Sequence, residues 1–274
     1  MKYGFVLPFG DATKAAEMAY EAEQAGWDGF FVWEPMWGVD AWIALAAATM
    51  KTRKIKLGTM LSPISRMRPW KLASETTTLD VLSNGRVILS VGLGAINTGF
   101  KEFGEETNRV KRAELVDEGL DILWGLWKGQ PFKYEGKNYT IQETDFPSPI
   151  NPIQKPRIPI WMVGAWFRKK SMNRVLRCDG LIPTKMVGRE HVKVEPDDIR
   201  DMKEWIMKNR KLDTPFDIII EGKTPVEESE NWRDIVTPYY VAGATWWIES
   251  MWELSRKDGN EPMLKRLRAG PPRV

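Results

Sequence analysis

Short apolar runs and helix-spaced apolar stripes alternate along the whole chain. The run Tyr3–Leu7 is followed by Pro8, Gly10 and Asp11, which read as a strand end and then a helix N-cap. From Lys14 to Gln24, Ala15, Met18, Ala19 and Ala22 recur at helical spacing, and Gly26 suits the residue just past a helix. Strand Asp28–Trp33 comes next, then a helix from an Asp40 cap through Met50, apolar nearly all round and so expected to be buried. After strand Ile55–Leu61, Pro69 opens a helix that closes near Leu82 at the Ser83-Asn84-Gly85 turn, and strand Arg86–Val91 follows. Arg109–Lys128 stripes Leu115, Leu120, Leu123 and Leu126 along one helix face and stops at Gly129. Pro131–Ile141, centred on Glu135-Gly136-Lys137, predicts a hairpin excursion. A proline-rich connector from Phe146 to Pro156 leads to strand Ile158–Val163. Helix Arg168–Arg177, strand Gly180–Ile182, helix Ile199–Asn209 and strand Phe216–Ile220 continue the pattern. A helix Asn231–Ala242, ended by Gly243, and strand Ala244–Ile248 complete it.

Eight strands, most followed by a helix, predict a (β/α)8 barrel, an α/β TIM barrel filling residues 1–274 as one domain with a hairpin and loop excursion near 130–157. The strands are continuous apolar runs, as a parallel sheet covered by helices requires. A doubly wound open sheet is the runner-up. Gly92-Leu93-Gly94 after strand four resembles a dinucleotide-binding loop, but Asn97 stands where the third glycine belongs and the next helix starts too late. A tight turn beside a ligand or a neighbouring strand is the better reading.

Composition removes several classes of function. Lys+Arg 40 against Asp+Glu 37 leaves +3, too balanced for a nucleic-acid or membrane-surface protein. No apolar run is long enough to span a membrane, and Met1-Lys2 opens straight into a strand without a signal peptide, so a cytoplasmic protein is expected. The one histidine, His191, cannot form an imidazole cluster and is expected on a solvated loop. The one cysteine, Cys178, excludes a disulfide framework and reads as a small buried side chain. Strand-end acids Glu34, Glu221 and Glu249 keep a barrel glycoside hydrolase as a distant alternative. Fourteen tryptophans are unusual. Trp33, Trp37, Trp70, Trp166 and Trp247 fall at or just beyond strand carboxyl ends, where barrels bind ligands, and suit a planar heteroaromatic molecule.

Several blocks together resemble the bacterial luciferase-like flavin-dependent oxidoreductases: Gly26-Trp27-Asp28-Gly29, LGTMLSP at Leu57–Pro63, and LASETTTLDVLSNGR at Leu72–Arg86. VGLG at Val91–Gly94, FKEFG at Phe100–Gly104, PRIPIWMVGA at Pro156–Ala165 and CDG at Cys178–Gly180 extend the likeness over the chain. The resemblance implies a (β/α)8 barrel that binds FMN or the deazaflavin coenzyme F420 at its carboxyl mouth. It implies a non-proline cis peptide at Met60–Leu61 behind the isoalloxazine ring, and an acid, Glu34, beside Trp33 at the end of strand two. It places Gly92, Gly94 and Asn97 along the cofactor. It also implies main-chain N–H groups at Gly164, Ala165 and Trp166 near the phosphate, with Arg168 or Lys169 as cation.

Three polar groups common in that family are missing. Pro35 stands where many members have histidine, Ala95 where the deazaflavin dehydrogenases often have glutamate, and Leu93 near the luciferase phosphate arginine. The resemblance therefore implies a flavin- or F420-dependent oxidoreductase or monooxygenase acting on a small molecule, with Glu34 as the candidate acid or base. A separate flavin or F420 reductase and pairing into a homodimer through helices two and three go with it. A non-catalytic flavin-binding protein on the same barrel is the alternative.

Overall fold

The computed structural model describes residues 1–146, 151–188, 190–226 and 231–273, with the Arg256 side chain also outside the description. Residues 147–150 of the expected proline-rich connector thus fall outside it. In chain order the elements are β1 (Lys2–Leu7), α1 (Ala12–Gln24), β2 (Gly29–Val32), α2 (Ala41–Lys51), β3 (Lys56–Thr59), β4 (Ser62–Pro63), α3 (Pro69–Leu82) and β5 (Val87–Gly92). Then come α4 (Arg109–Lys128), β6 (Phe132–Glu135), β7 (Thr140–Thr144), β8 (Ile160–Ala165), α5 (Lys169–Val175), β9 (Gly180–Val187), β10 (Glu190–Val192) and α6 (Pro196–Asn209). β11 (Asp217–Gly222), α7 (Trp232–Ala242), β12 (Trp246–Glu249) and α8 (Glu261–Arg268) end the series.

Strands β1, β2, β3, β5, β8, β9, β11 and β12 pair in that order, all parallel, and β12 returns to β1. This closes an eight-stranded (β/α)8 barrel and sets aside the open sheet. The caps follow the sequence: Asp11 and Asp40 accept from Lys14 N and Ile43 N at the starts of α1 and α2. Gly243 ends α7 at φ +112°, a left-handed conformation glycine adopts at no steric cost. The hairpin β6–β7 stands outside the barrel as expected.

Three elements differ from the sequence reading. Strand three stops at Thr59, and after a two-residue step Ser62-Pro63 pairs with β5 as β4. Strand six runs on to Val187 and turns back antiparallel as β10, so His191 sits on a short exposed strand and not in a loop. Helix α8 has no counterpart in the sequence reading, because its inward face carries Arg266 between Met263 and Leu267 and so hides its apolar stripe.

Alternation along the strands separates two cores. Tyr3, Phe5, Phe30, Leu57, Leu89, Met162, Leu181 and Ile220 face outward against the helices. Val6, Phe31, Ile88, Trp161, Ile182, Ile219, Trp246 and Ile248 face inward. Phe31, Trp161 and Trp246 meet edge-on or tilted, with ring centroids 5.1 to 6.2 Å apart, and plug the barrel floor. Close approach makes room for them: a Cβ on Gly180 would lie 2.4 Å from Trp161, and one on Gly29 would lie 2.8 Å from Phe31. Among the described residues no helix is long and apolar enough to cross a membrane.

Candidate active site

The carboxyl ends of the barrel strands form a mouth whose polar groups come mainly from strand ends. Glu34 follows β2, half-buried, next to Trp33, which is 39% exposed. Ser62 Oγ donates to Glu34 Oε2 in a short hydrogen bond, and Thr59 Oγ1 lies 2.9 Å from Ser62 Oγ. The bulge between β3 and β4 thus brings two hydroxyls to the acid. Desolvation pushes the Glu34 carboxyl from 4.5 up to about 7, more than the Ser62 hydrogen bond and the Arg66 charge pull it down. Arg66 holds the backbone in place, donating to Glu34 O at 3.1 Å and Pro35 O at 3.0 Å. The Met60–Leu61 peptide is cis, as the resemblance implies.

On the β5 side, Gly92 is buried and closely approached by its neighbours. A Cβ there would meet Val163 at 3.2 Å and Leu61 at 3.4 Å. Gly94 turns at φ +77°, tight against Phe100 and Pro63. Buried Arg112 of α4 pins this loop by donating to Leu93 O (3.0 Å) and Gly94 O (2.8 Å). Asn97 is exposed on the short helical turn beyond. Ser90, inward-facing and fully buried, has no hydrogen-bond partner for its hydroxyl among the described residues.

The loop after β8 departs from expectation. Ala165 N–H donates to Ser171 Oγ (3.0 Å) and Trp166 N–H to Thr184 O (2.8 Å), while Gly164 lies in the β8–β9 ladder. Two of the three main-chain donors assigned to a phosphate are therefore spent inside the protein. Phe167, which the sequence reading passed over, has φ +64° and is 74% exposed, with its ring 4.9 Å from that of Trp166. A left-handed phenylalanine is strained and points to a constrained loop. Arg168 is the exposed N-cap residue of α5 and has no ion-pair partner among the described residues.

The aromatic residues also separate. Trp33 and Trp37 line a cleft between the first turns of α1 and α2, with Phe9 and Val39. Trp166 and Trp247 are buried in the outer core, and Trp70 leans on Tyr139 of the hairpin, so these three do not form a ring of planes at the mouth. A wider, more open groove runs between α4 and α5, lined by Arg109, Asp117, Lys170, Ser171 and Arg174.

The strand-end acids divide likewise. Glu249 faces outward and is fully buried; Thr224 N–H and Oγ1, Trp247 Nε1 and Arg266 all donate to it. That leaves it structural. Glu221, two residues beyond inward-facing Ile219, faces the mouth and accepts from Trp252 Nε1 at 2.8 Å. Its surroundings push its carboxyl above the usual range, although the side chain is exposed to solvent. Cys178 is buried, its thiol pushed up to about 12 by desolvation, which leaves it inert. No cluster of three or more metal-ligating side chains occurs among the described residues.

The fold and mouth define a helix-wrapped parallel barrel with an acid of near-neutral pKa beside its second strand. The chain belongs to the luciferase-like monooxygenase family, whose profile matches residues 1–268. A Mycobacterium tuberculosis protein, by name a candidate coenzyme F420-dependent oxidoreductase, is 31% identical over 195 residues, 67% of this chain and 55% of that protein. The chain thus spans only about half of that relative. Among solved structures, the coenzyme F420-dependent tetrahydromethanopterin reductase of Methanopyrus kandleri matches with TM-score 0.74 and 17% identity, over 98% of this chain and 97% of that one. The oxygenating constituent of 3,6-diketocamphane monooxygenase from Pseudomonas putida, in complex with FMN, matches with TM-score 0.69 and 16% identity, over 98% and 96%. At these identities the two structures share the fold.

Proposed function

We propose that the protein is an oxidoreductase that uses a flavin or deazaflavin, FMN or coenzyme F420, at the barrel mouth and acts on a small organic molecule. The observation that carries this reading is Glu34, a carboxyl with pKa about 7 held by Ser62 at the mouth of a luciferase-like barrel. The residues fit a flat tricyclic ring. Met60, Leu61 and Val163 supply apolar surface beside Gly92, whose lack of a side chain lets them pack closely and against which such a ring would lie.

When bound, the cofactor supplies the hydride or oxygen chemistry. The chain's own residues bind, orient and handle protons. Glu34 can hold or release a proton at its carboxylate near neutral pH, the range in which a general acid or base works best. Ser62 and Thr59 fix which way that carboxylate points, and Arg66 fixes the backbone that carries it. With the Ala165 and Trp166 N–H groups engaged, a phosphate grip falls to side chains: Arg168, with Lys169, Lys170 and the Ser171 hydroxyl close in sequence.

Titration of FMN and F420, followed by tryptophan quenching, tests cofactor binding; failure of both below millimolar removes the reading. Turnover with reduced FMN from an NAD(P)H:flavin reductase, or with reduced F420, separates an enzyme from a flavin carrier. Glu34→Gln should cut turnover by about 10²–10⁴ while cofactor affinity stays within a fewfold. The α2 face, where Ile43 and Met50 are each 65% exposed, supports pairing of two copies, and a monomer by light scattering at micromolar concentration would exclude it.

A further inference from the structure

Helices α4 and α5 follow the neighbouring strands β5 and β8, and the groove between them starts at the mouth and runs down the outside of the barrel. Leu93 and Ser171 line its upper end, beside the loop that carries Arg168. Its walls are charged. Arg109, Lys170, Arg174 and Arg177 face two acids, Glu114 and Asp117. Each acid already has a cation: Lys137 holds Glu114 at 2.8 Å, and buried Arg174 grips both oxygens of Asp117 at 2.7 Å. Arg177 is paired with Asp121. Arg109 and Lys170 have no carboxylate partner among the described residues, and both stand in the first turns of their helices, at the mouth end. Arg109 is the first residue of the long helix α4, where a cation opposes the helix dipole and gains nothing locally.

Two unpaired cations at the mouth end of a groove, next to Arg168 and Lys169, suit an anionic chain that continues past a cofactor phosphate held there. FMN ends at its phosphate. F420 goes on through a lactyl carboxylate into a tail of γ-linked glutamates, each with a free carboxylate. The extension of FAD carries a flat adenine instead, and no aromatic side chain lines the groove among the described residues. We infer, resting on the cofactor reading above, that the α4–α5 groove seats the γ-glutamyl tail of F420, with Arg109 and Lys170 meeting its carboxylates, and that this contact selects F420 over FMN. Such pairs are exposed, so each contributes little and their sum is sensitive to salt.

F420 with its tail, the same coenzyme trimmed back to the phospholactyl group, and FMN are titrated onto the full chain and followed by tryptophan quenching. At low salt the tailed form should bind about tenfold tighter than the trimmed one, and high salt should shrink that margin. Arg109→Glu puts an acid where the helix dipole favours one, so the urea midpoint should hold. The same variant should erase the margin while the trimmed form stays within a fewfold. Arg109→Lys keeps the charge and should keep most of the margin. Equal binding of tailed and trimmed F420, a margin that survives Arg109→Glu, or FMN bound more tightly than tailed F420 each overturns the inference and leaves the cofactor reading standing. Binding of none of the three removes both.

Discussion

At the barrel floor, Phe31, Trp161 and Trp246 fill the interior and glycines give up their side chains to seat them. At the mouth Ser90 and Gly92 continue the inward positions of β5, Glu221 continues those of β11 and Glu34 follows β2, giving two acids raised above the usual range and a buried hydroxyl with no partner among the described residues. The floor is packed and contributes stability. The mouth leaves polar groups underused, which costs stability and creates places for a ligand. Glu221 and Glu249 show the same division within adjacent strands: the inward-facing one meets a single donor, the outward-facing one a complete set.

If that contrast is right, the largest losses of stability come from the satisfied regions. Arg266→Ala strips the cation from fully buried Glu249 and removes a guanidinium seated 4.3 Å from the Trp232 ring centroid. Breaking such a pair should cost about 3–5 kcal/mol, read as a lowered urea midpoint. An unchanged midpoint would show that the outer network carries little.

Next in size is an effect on binding. Arg168→Ala should remove a charge-assisted contact of about 1.5–3 kcal/mol. FMN affinity then falls roughly ten- to hundredfold while riboflavin, which lacks the phosphate, binds as before. Equal losses for both ligands would assign the effect to the loop's conformation and not to the charge.

Gly180→Ala probes the floor from the inside. Its new Cβ would lie 2.4 Å from Trp161 Cδ1 and 3.1 Å from Asp217 O, so ring and backbone must both shift. Overpacking of this kind should cost about 1–3 kcal/mol in thermal or urea unfolding.

The last effect concerns Glu34 and depends on pH. Its folded pKa of about 7 lies above the unfolded value of 4.5, so the unfolded chain loses the proton first. Stability from this group should therefore fall as pH rises from about 4.5 to about 7 and stay level above. Glu34→Gln should flatten that slope relative to the unsubstituted protein and leave the variant at least as stable at pH 8. A wild-type-minus-variant difference that does not change with pH would sink the raised pKa.

Much of the barrel was legible in local pattern. Helix α4 keeps the expected bounds Arg109–Lys128, and Asp11, Asp40 and Gly243 cap the ends their chemistry predicts. Helix α8 was not, because Arg266 occupies a core position and its burial makes sense only once Glu249 lies opposite. The site was legible in part. Glu34 and the Met60–Leu61 bond followed from the resemblance. Ser62 and Thr59 lie inside the LGTMLSP block, but only a bulge that folds them onto an acid 28 residues from Ser62 gives them their role at the site.

The amino-acid sequence by itself determined the alternation of strand and helix, the parallel sheet and the family, because periodicity, caps and short motif blocks are local properties. Only the tertiary structure decided which strand-end acid faces the barrel mouth and which faces a buried arginine. It also decided which tryptophans line a cleft and that the Ala165 and Trp166 donors are already used. Those outcomes depend on closure of the barrel, which sets whether a residue at a strand's end points in or out and which distant group it meets there.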